Sequence, residues 1–392
     1  MTQDASGLGR RDFILLAAAG ATILAPTVGT AQAQDAPAAP ETPAGGTMFT
    51  GDVIEGKKVI SALDVADLEP GRHHFFFEGV QMVTGKHWYV SVAVIKGSKP
   101  GKRVALISGV HGDEISPVRT VQMVLDQLDP ETLSGTVLAV LDVSSPALEA
   151  MARRWPSSSR GIDLVDMNRE WPGSVNASSA PGRQAGMLFE RVIRPNADYA
   201  IDFHTAATGM DMSAFNLARM DIPEVKAMAE LYPIDHIFDD PAYPTLLANA
   251  CIDAGIPALT PEIGGPRSLD KAKIALFVEG TMNVLKLHGL VAGPMGRTGA
   301  DSGLLVANTM GAVLSSHGGF VELLVELNEK VEAGQKVAIQ RNAFGEIQAE
   351  YTSPVSGEVA ARRTDATAEP GTPLLFFLFA SPDKAGDEHY PE

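Results

Sequence analysis

The segment His111-Gly112-Asp113-Glu114 places an imidazole and a carboxylate three residues apart, directly after the apolar run Arg-Val-Ala-Leu-Ile-Ser-Gly-Val at 103–110. If that run is a buried strand and Ile115 opens a helix, both side chains project from one short turn toward one point. Such a pair can fill two positions around a zinc ion. A catalytic zinc commonly takes two His and one Glu and leaves the fourth position to water. A second histidine, His204, closes Ala200-Ile-Asp-Phe-His-Thr205 at the end of another expected strand. Ligands gather at the carboxyl ends of strands in open α/β sheets, so His111, Glu114 and His204 are expected to share one Zn²⁺ per chain.

A third strand ends in Leu259-Thr-Pro-Glu-Ile-Gly-Gly265, which puts Glu262 at the same edge. A carboxylate beside a metal-activated water can take its proton and return it to a leaving amine. The alternative for Glu262, a helix cap or a surface ion pair, is weighed down by the company it keeps. The loop Asp166-Met-Asn-Arg-Glu-Trp-Pro-Gly173 adds Asn168 and Arg169. Arginine can bind both oxygens of a carboxylate, so the pair suggests recognition of a small-molecule substrate that carries one. A loop-bracing pair between Arg169 and Asp166 or Asp163 stays open as the alternative. Asp166 is read as orienting this loop. Asp202 is read as structural and turned to the face opposite His204.

These residues need a scaffold that delivers them to one edge. Between 99 and 290 short apolar runs alternate with helical patterns, the signature of an α/β sheet flanked by helices. Strands are expected at 104–110, 136–143, 199–203 and 257–260, and helices at 115–128, 183–193, 223–231, 245–254 and 269–288. Gly255 and Gly289 read as helix stops and Ser268 as a cap. Residues 48–98 are strand-like, either a small sheet or the edge of the main one. After 291 the chain turns to short strands broken by Gly and Pro, which predicts a small all-β C-terminal domain running to about 385. Its phrases Val331-Glu-Ala-Gly-Gln-Lys-Val337 and Ser353-Pro-Val-Ser-Gly-Glu-Val359 resemble the barrel-sandwich fold of biotinyl and lipoyl carrier domains. Residues 338–347 contain no lysine, so a carrier role is set aside in favour of a structural or substrate-gating one.

The 392 residues suffice for one large domain plus a smaller one, and 45% hydrophobic with 20% charged residues reads as globular. A formal net charge of -17 without a Lys/Arg-rich stretch argues against a nucleic-acid partner. Gly9-Arg10-Arg11-Asp12-Phe13 opens an apolar segment that ends near Ala31-Gln32-Ala33. It looks like a twin-arginine export signal at 1–33, followed by an Ala/Pro/Gly-rich linker at 34–47. The apolar stretch is shorter than the about 20 residues that a bilayer span needs, so no stable membrane anchor is expected. Cleavage near Ala33, passage through the twin-arginine machinery and a periplasmic location follow. Cys251 is the only cysteine and sits in an apolar helical pattern, which excludes an intramolecular disulfide and suggests a core residue.

Together and in this order, His-Gly-Asp-Glu, Asp-Met-Asn-Arg with Trp-Pro-Gly, Asp-Phe-His-Thr and Pro-Glu-Ile-Gly resemble the succinylglutamate desuccinylase/aspartoacylase family of the zinc carboxypeptidase superfamily. The resemblance covers about 99–380. It implies a zinc-carboxypeptidase-like mixed sheet followed by a barrel-sandwich-like domain, and an amide-cleaving deacylase that acts on an N-acyl amino acid. It also implies His111, Glu114 and His204 as zinc ligands, Glu262 as general base, and Asn168 and Arg169 as binders of the substrate carboxylate, with Arg169 also at the oxyanion. Arg160 is the candidate for a further family arginine, and Tyr243 for a tyrosine that closes over substrate. Export favours an alternative, a periplasmic metallocarboxypeptidase acting on peptides or cell-wall fragments. The sequence is compatible with a homo-oligomer and does not fix the oligomeric state.

Overall fold

A computed structural model describes residues 46–156, 164–240 and 242–382. The expected leader, nearly all of the linker, and Arg160 lie outside the described residues. In chain order the first strands are β1 (Met48–Ile54), β2 (Lys57–Ala62), β3 (Gly71–Gln81), β4 (His87–Lys96), β5 (Lys99–Ile107), β6 (Ser134–Val140) and β7 (Tyr199–Asp202). There follow β8 (Met210–Met212), β9 (Ala214–Ala218), β10 (His236–Asp239), β11 (Ala258–Ile263) and β12 (Leu305–Ala307). All but β8 form one mixed sheet of 11 strands in the order β1-β2-β3-β4-β6-β5-β7-β11-β9-β10-β12. Residues 48–98 are therefore the edge of the main sheet, joined through the antiparallel pair β4/β6.

The helices are α1 (Ile115–Asp126), α2 (Ser145–Glu149), α3 (Ala180–Leu188), α4 (Pro223–Ala229), α5 (Leu247–Asp253) and α6 (Lys271–Leu287). They cover both faces because the central strands are apolar on both. Ala105 and Ile107 of β5 join one core with Leu188 of α3 and Leu247 and Cys251 of α5. Val104 and Leu106 point the other way and pack with Val121 of α1, Met228 of α4 and Phe277 of α6. This is the period-two alternation of a strand buried on both sides. Emptying one such position, Leu106 to alanine for example, costs about 2–5 kcal/mol.

Gly255 and Gly289 do terminate α5 and α6, with φ of +80° and +73° that suit residues lacking a Cβ. The cap of α6 is not Ser268 but Asp270, whose carboxylate accepts from the N–H groups of Ala272 and Lys273. Ser268 instead gives its carbonyl to the Ser116 hydroxyl at 2.8 Å and so ties α1 to the start of α6.

The C-terminal strands are β13 (Thr309–Leu314), β14 (Gly319–Leu323), β15 (Lys330–Val331), β16 (Lys336–Arg341), β17 (Ile347–Thr352), β18 (Gly357–Arg363), β19 (Thr367–Ala368) and β20 (Pro373–Phe379). They build two antiparallel sheets, β13-β20-β18-β15 and β17-β16-β14-β19, around Val337, Val359, Leu375 and Phe377. β8 joins the first of these sheets as its fifth strand and pairs with β18, Met210 opposite Arg363 and Met212 opposite Ala361. Among the described residues no helix is long and apolar enough to cross a membrane.

Candidate metal and catalytic site

β5, β7 and β11 are adjacent and parallel, with Ile107 opposite Asp202 and Leu259 opposite Ile201. Whatever follows their carboxyl ends must therefore converge. After β5 the chain turns at Gly109 (φ +73°) and presents His111 and Glu114 just before α1 begins at Ile115. Gly112 lets this turn lie against the 144–152 segment: an added Cβ would sit 1.9 Å from the carbonyl carbon of Ala147. After β7 comes His204, which pairs with Glu262 of β11 in an isolated parallel bridge.

The structure brings His111, Glu114 and His204 together, each no more than 2% exposed. One ligand atom from each lies within 4.8 Å of the others, a group able to hold a metal ion. The two imidazoles face each other through Nδ1 at 3.1 Å, and these nitrogens lie 2.7 Å and 3.0 Å from the two Glu114 oxygens. Their Nε2 atoms face carboxylates, Asp166 Oδ1 at 2.9 Å for His111 and Asp202 Oδ2 at 3.0 Å for His204. In the tautomers that donate Nε2–H to these aspartates, two Nδ1 lone pairs and two carboxylate oxygens converge with no imidazole proton among them. A cation satisfies that arrangement. Four-coordinate zinc, with bonds of about 2.0–2.2 Å, holds its ligand atoms roughly 3.3 Å apart, close to the spacing here. Carboxylates on the remote imidazole nitrogens are the usual supports of metal-bound histidine. The donor set thus fits zinc.

Asp202 corrects the sequence reading. Side chains two apart on a strand share a face, so Asp202 and His204 point the same way and meet. Asp166 does orient its loop, accepting from the Asn168 N–H at 2.9 Å, and also holds His111. Arg153 was not singled out from the sequence. Its Nη1 lies 2.8 Å from Glu114 Oε1 and its Nε 3.5 Å from Asp166 Oδ2, with 30% of the side chain exposed. Its only sequence signal is an arginine pair before Trp155, too common to carry an inference. Arg153, not Arg169, forms the ion pair with Asp166.

Burial opposes ionisation of Glu114, but attraction and hydrogen bonding from the His111 and His204 rings hold its carboxyl well below the usual range. Burial likewise opposes a charge on His204, yet Asp202 and Glu114 raise its pKa well above the ordinary value. Glu262 is different. Burial, reinforced by the Glu114 charge, pushes its carboxyl up to about 7 against the pull of His204 and Arg153. Its Oε2 is buried with no hydrogen-bond partner. A buried carboxyl with one unengaged oxygen beside a candidate metal site is placed to move protons. Cys251 is fully buried, and burial raises its thiol pKa, as befits a core residue.

Asn168 and Arg169 occupy a short 3-10 turn, Met167–Arg169. The Asn168 amide is engaged: Oδ1 accepts from Leu247 N–H at 3.1 Å and Nδ2 lies 3.4 Å from His204 Nε2. Arg169 is exposed, with its guanidinium 5.1 Å from the centre of the Tyr243 ring. The structure therefore joins Tyr243 to Arg169, while Asn168 lies deeper, against the second histidine.

Residues 100–288 match the succinylglutamate desuccinylase/aspartoacylase catalytic domain. Through this segment the chain belongs to the succinylglutamate desuccinylase/aspartoacylase family. Its relatives include the N-alpha-acetyl-L-2,4-diaminobutyric acid deacetylase of Halomonas elongata, 27% identical over 299 residues that cover 72% of this chain and 83% of the relative. The fold is shared with the product-bound ectoine utilization protein EutE (DoeB) of Ruegeria pomeroyi, at a TM-score of 0.71 and 21% identity over 80% of this chain and 97% of that one. It is also shared with a succinylglutamate desuccinylase from Silicibacter sp. TM1040, at a TM-score of 0.69 and 24% identity over 79% and 96% of the two chains.

Proposed function

We propose that this protein is a zinc-dependent deacylase that hydrolyses the amide bond of an N-acyl amino acid or a related small carboxylate. The observation that carries the reading is the convergence of His111, Glu114 and His204 on one point, with Glu262 paired beside His204 on the next strand. The name of the Halomonas relative, a deacetylase of an N-acetylated amino acid, supports the substrate class.

His111 and His204 would hold zinc through Nδ1 and Glu114 through its carboxylate. Bound zinc supplies a Lewis acid and lowers the pKa of a water to near neutrality. Glu262 takes the proton of the attacking water on its free Oε2 and passes it to the departing amine. Asp166 and Asp202 keep both imidazoles in the tautomer that leaves Nδ1 free. Arg169, exposed and packed by Tyr243, binds the substrate carboxylate and offers positive charge to the carbonyl oxygen as negative charge develops there. Asn168 holds this loop against α5 and His204.

The test is a screen of N-acetyl and N-succinyl amino acids against short peptides with zinc-loaded protein, His111→Ala serving as the blank. N-acyl amino acids should be hydrolysed, and Glu262→Gln should lower kcat by about 10²–10⁴-fold. Equal turnover by wild type and His111→Ala would sink the mechanism. A preference for peptides would replace the deacylase with a metallocarboxypeptidase built on the same site.

A further inference from the structure

Asp113 is the member of the His-Gly-Asp-Glu turn for which the metal chemistry has no use, yet it is wholly buried. Its Oδ2 accepts two hydrogen bonds from Thr208, from N–H at 2.9 Å and from Oγ–H at 2.7 Å. Its Oδ1 has no hydrogen-bond partner. Thr208 belongs to the segment 205–209 that leaves His204, and that segment is tied to the site repeatedly. Thr205 N–H donates to Glu114 Oε2 at 3.0 Å. Ala206 N–H donates to the carbonyl of Gly264, two residues beyond Glu262, at 2.9 Å. The Gly209 carbonyl accepts from Thr364 N–H at 2.9 Å, just past β18. β8 follows at once and pairs with β18.

We propose that Asp113 is a positioning residue that clamps the segment 205–209 from one side while β18 clamps it from the other, so that Thr205 N–H holds the Glu114 carboxylate in its ligating orientation. Hydrogen bonds to a buried carboxylate are stronger than neutral ones. Without Asp113 the middle of the segment loses both bonds to the motif turn, leaving the anchors at its ends, Thr205 and Ala206 on one side and Gly209 on the other. The clamp thereby gives the C-terminal unit a stake in the metal site. Its effect on catalysis rests on the zinc-hydrolase reading; the clamp itself does not.

The test compares Asp113→Ala, Asp113→Asn and Thr208→Val in the full chain by amide hydrogen exchange, zinc affinity and steady-state kinetics. In Asp113→Ala the Thr208 amide should exchange at least about tenfold faster, whereas Asp113→Asn, whose carbonyl can accept both bonds, should stay within about threefold of wild type. Zinc affinity should fall by about 10–100-fold in Asp113→Ala, with kcat lowered and KM little changed, and Asp113→Asn should restore most of both. Thr208→Val keeps the carboxylate and removes the hydroxyl bond, so it decides the matter if Asp113→Ala does not fold, and it should fall between wild type and Asp113→Ala. Unchanged exchange in Asp113→Ala and Thr208→Val, or equal damage from Asp113→Asn and Asp113→Ala, would overturn the clamp. If wild type hydrolyses no N-acyl amino acid, the deacylase reading fails, and the exchange data still decide the clamp.

Discussion

The aspartates on the far side of the two imidazoles, Asp166 for His111 and Asp202 for His204, aim both rings toward Glu114. Each histidine ring is pinned at Nε2, so its Nδ1 has one direction left to face. Asp202→Asn leaves the strand intact but removes the charge that fixes the His204 tautomer. We expect zinc affinity to drop by about 10–100-fold, measured by chelator competition. Wild-type affinity in that variant would show that Asp202 does not support the ligand. The convergence of His111, Glu114, His204 and Glu262 was legible in the sequence because His111, His204 and Glu262 each come at the end of an apolar run and Glu114 lies three residues after His111. Asp202 was legible in principle, since period two puts it on the face of His204. Arg153 was not, because its approach to Glu114 depends on the path of 144–156, which no local pattern encodes.

At the level of elements, the site is the meeting of three strand ends, and its precision depends on how closely the first turn packs. Gly112 is the tightest point, where any side chain would run into the backbone at Ala147. Gly112→Ala should cost about 1–3 kcal/mol or more in denaturant unfolding and should weaken metal binding, because the turn must move for the methyl group to fit. Gly318→Ala, at a position with open space, serves as the control. Equal midpoints for the two variants would refute the argument. β5, β7 and β11 were readable as buried runs with polar ends, and α5 and α6 as periodic patterns with glycine stops. The pairing of β8 with β18 was not readable, because its partners are remote in sequence and β8 has only three residues, too few for a period to show. The same holds for the cap of α6, where Ser268 and Asp270 are both competent and only tertiary contacts select between them.

The whole molecule carries a pH sensitivity remote from the catalytic edge. His288, just after α6, stacks on Tyr199 at the start of β7, with ring centroids 3.6 Å apart, and its Nε2 is buried without a hydrogen-bond partner. Burial, then the charge of Lys102, lowers its pKa from 6.5 to about 4. The unfolded chain thus takes up a proton there that the folded chain refuses. The stabilisation is complete above pH 6.5 and is lost as pH falls toward about 4. His288→Phe retains a ring for stacking and removes the titration, so its Tm should fall less than that of wild type between about pH 7.5 and about pH 5. Parallel losses in the two proteins would assign the acid sensitivity elsewhere. The pairing of β8 with β18 also has a consequence in time. A ribosome delivers the His111 turn and His204 long before it delivers 357–363, and the bonds that β18 and Thr364 give the segment beyond His204 form only when that late strand arrives. On the zinc reading proposed above, a C-terminally truncated chain should therefore keep all three ligands and yet bind zinc more weakly than the full chain, measured by chelator competition.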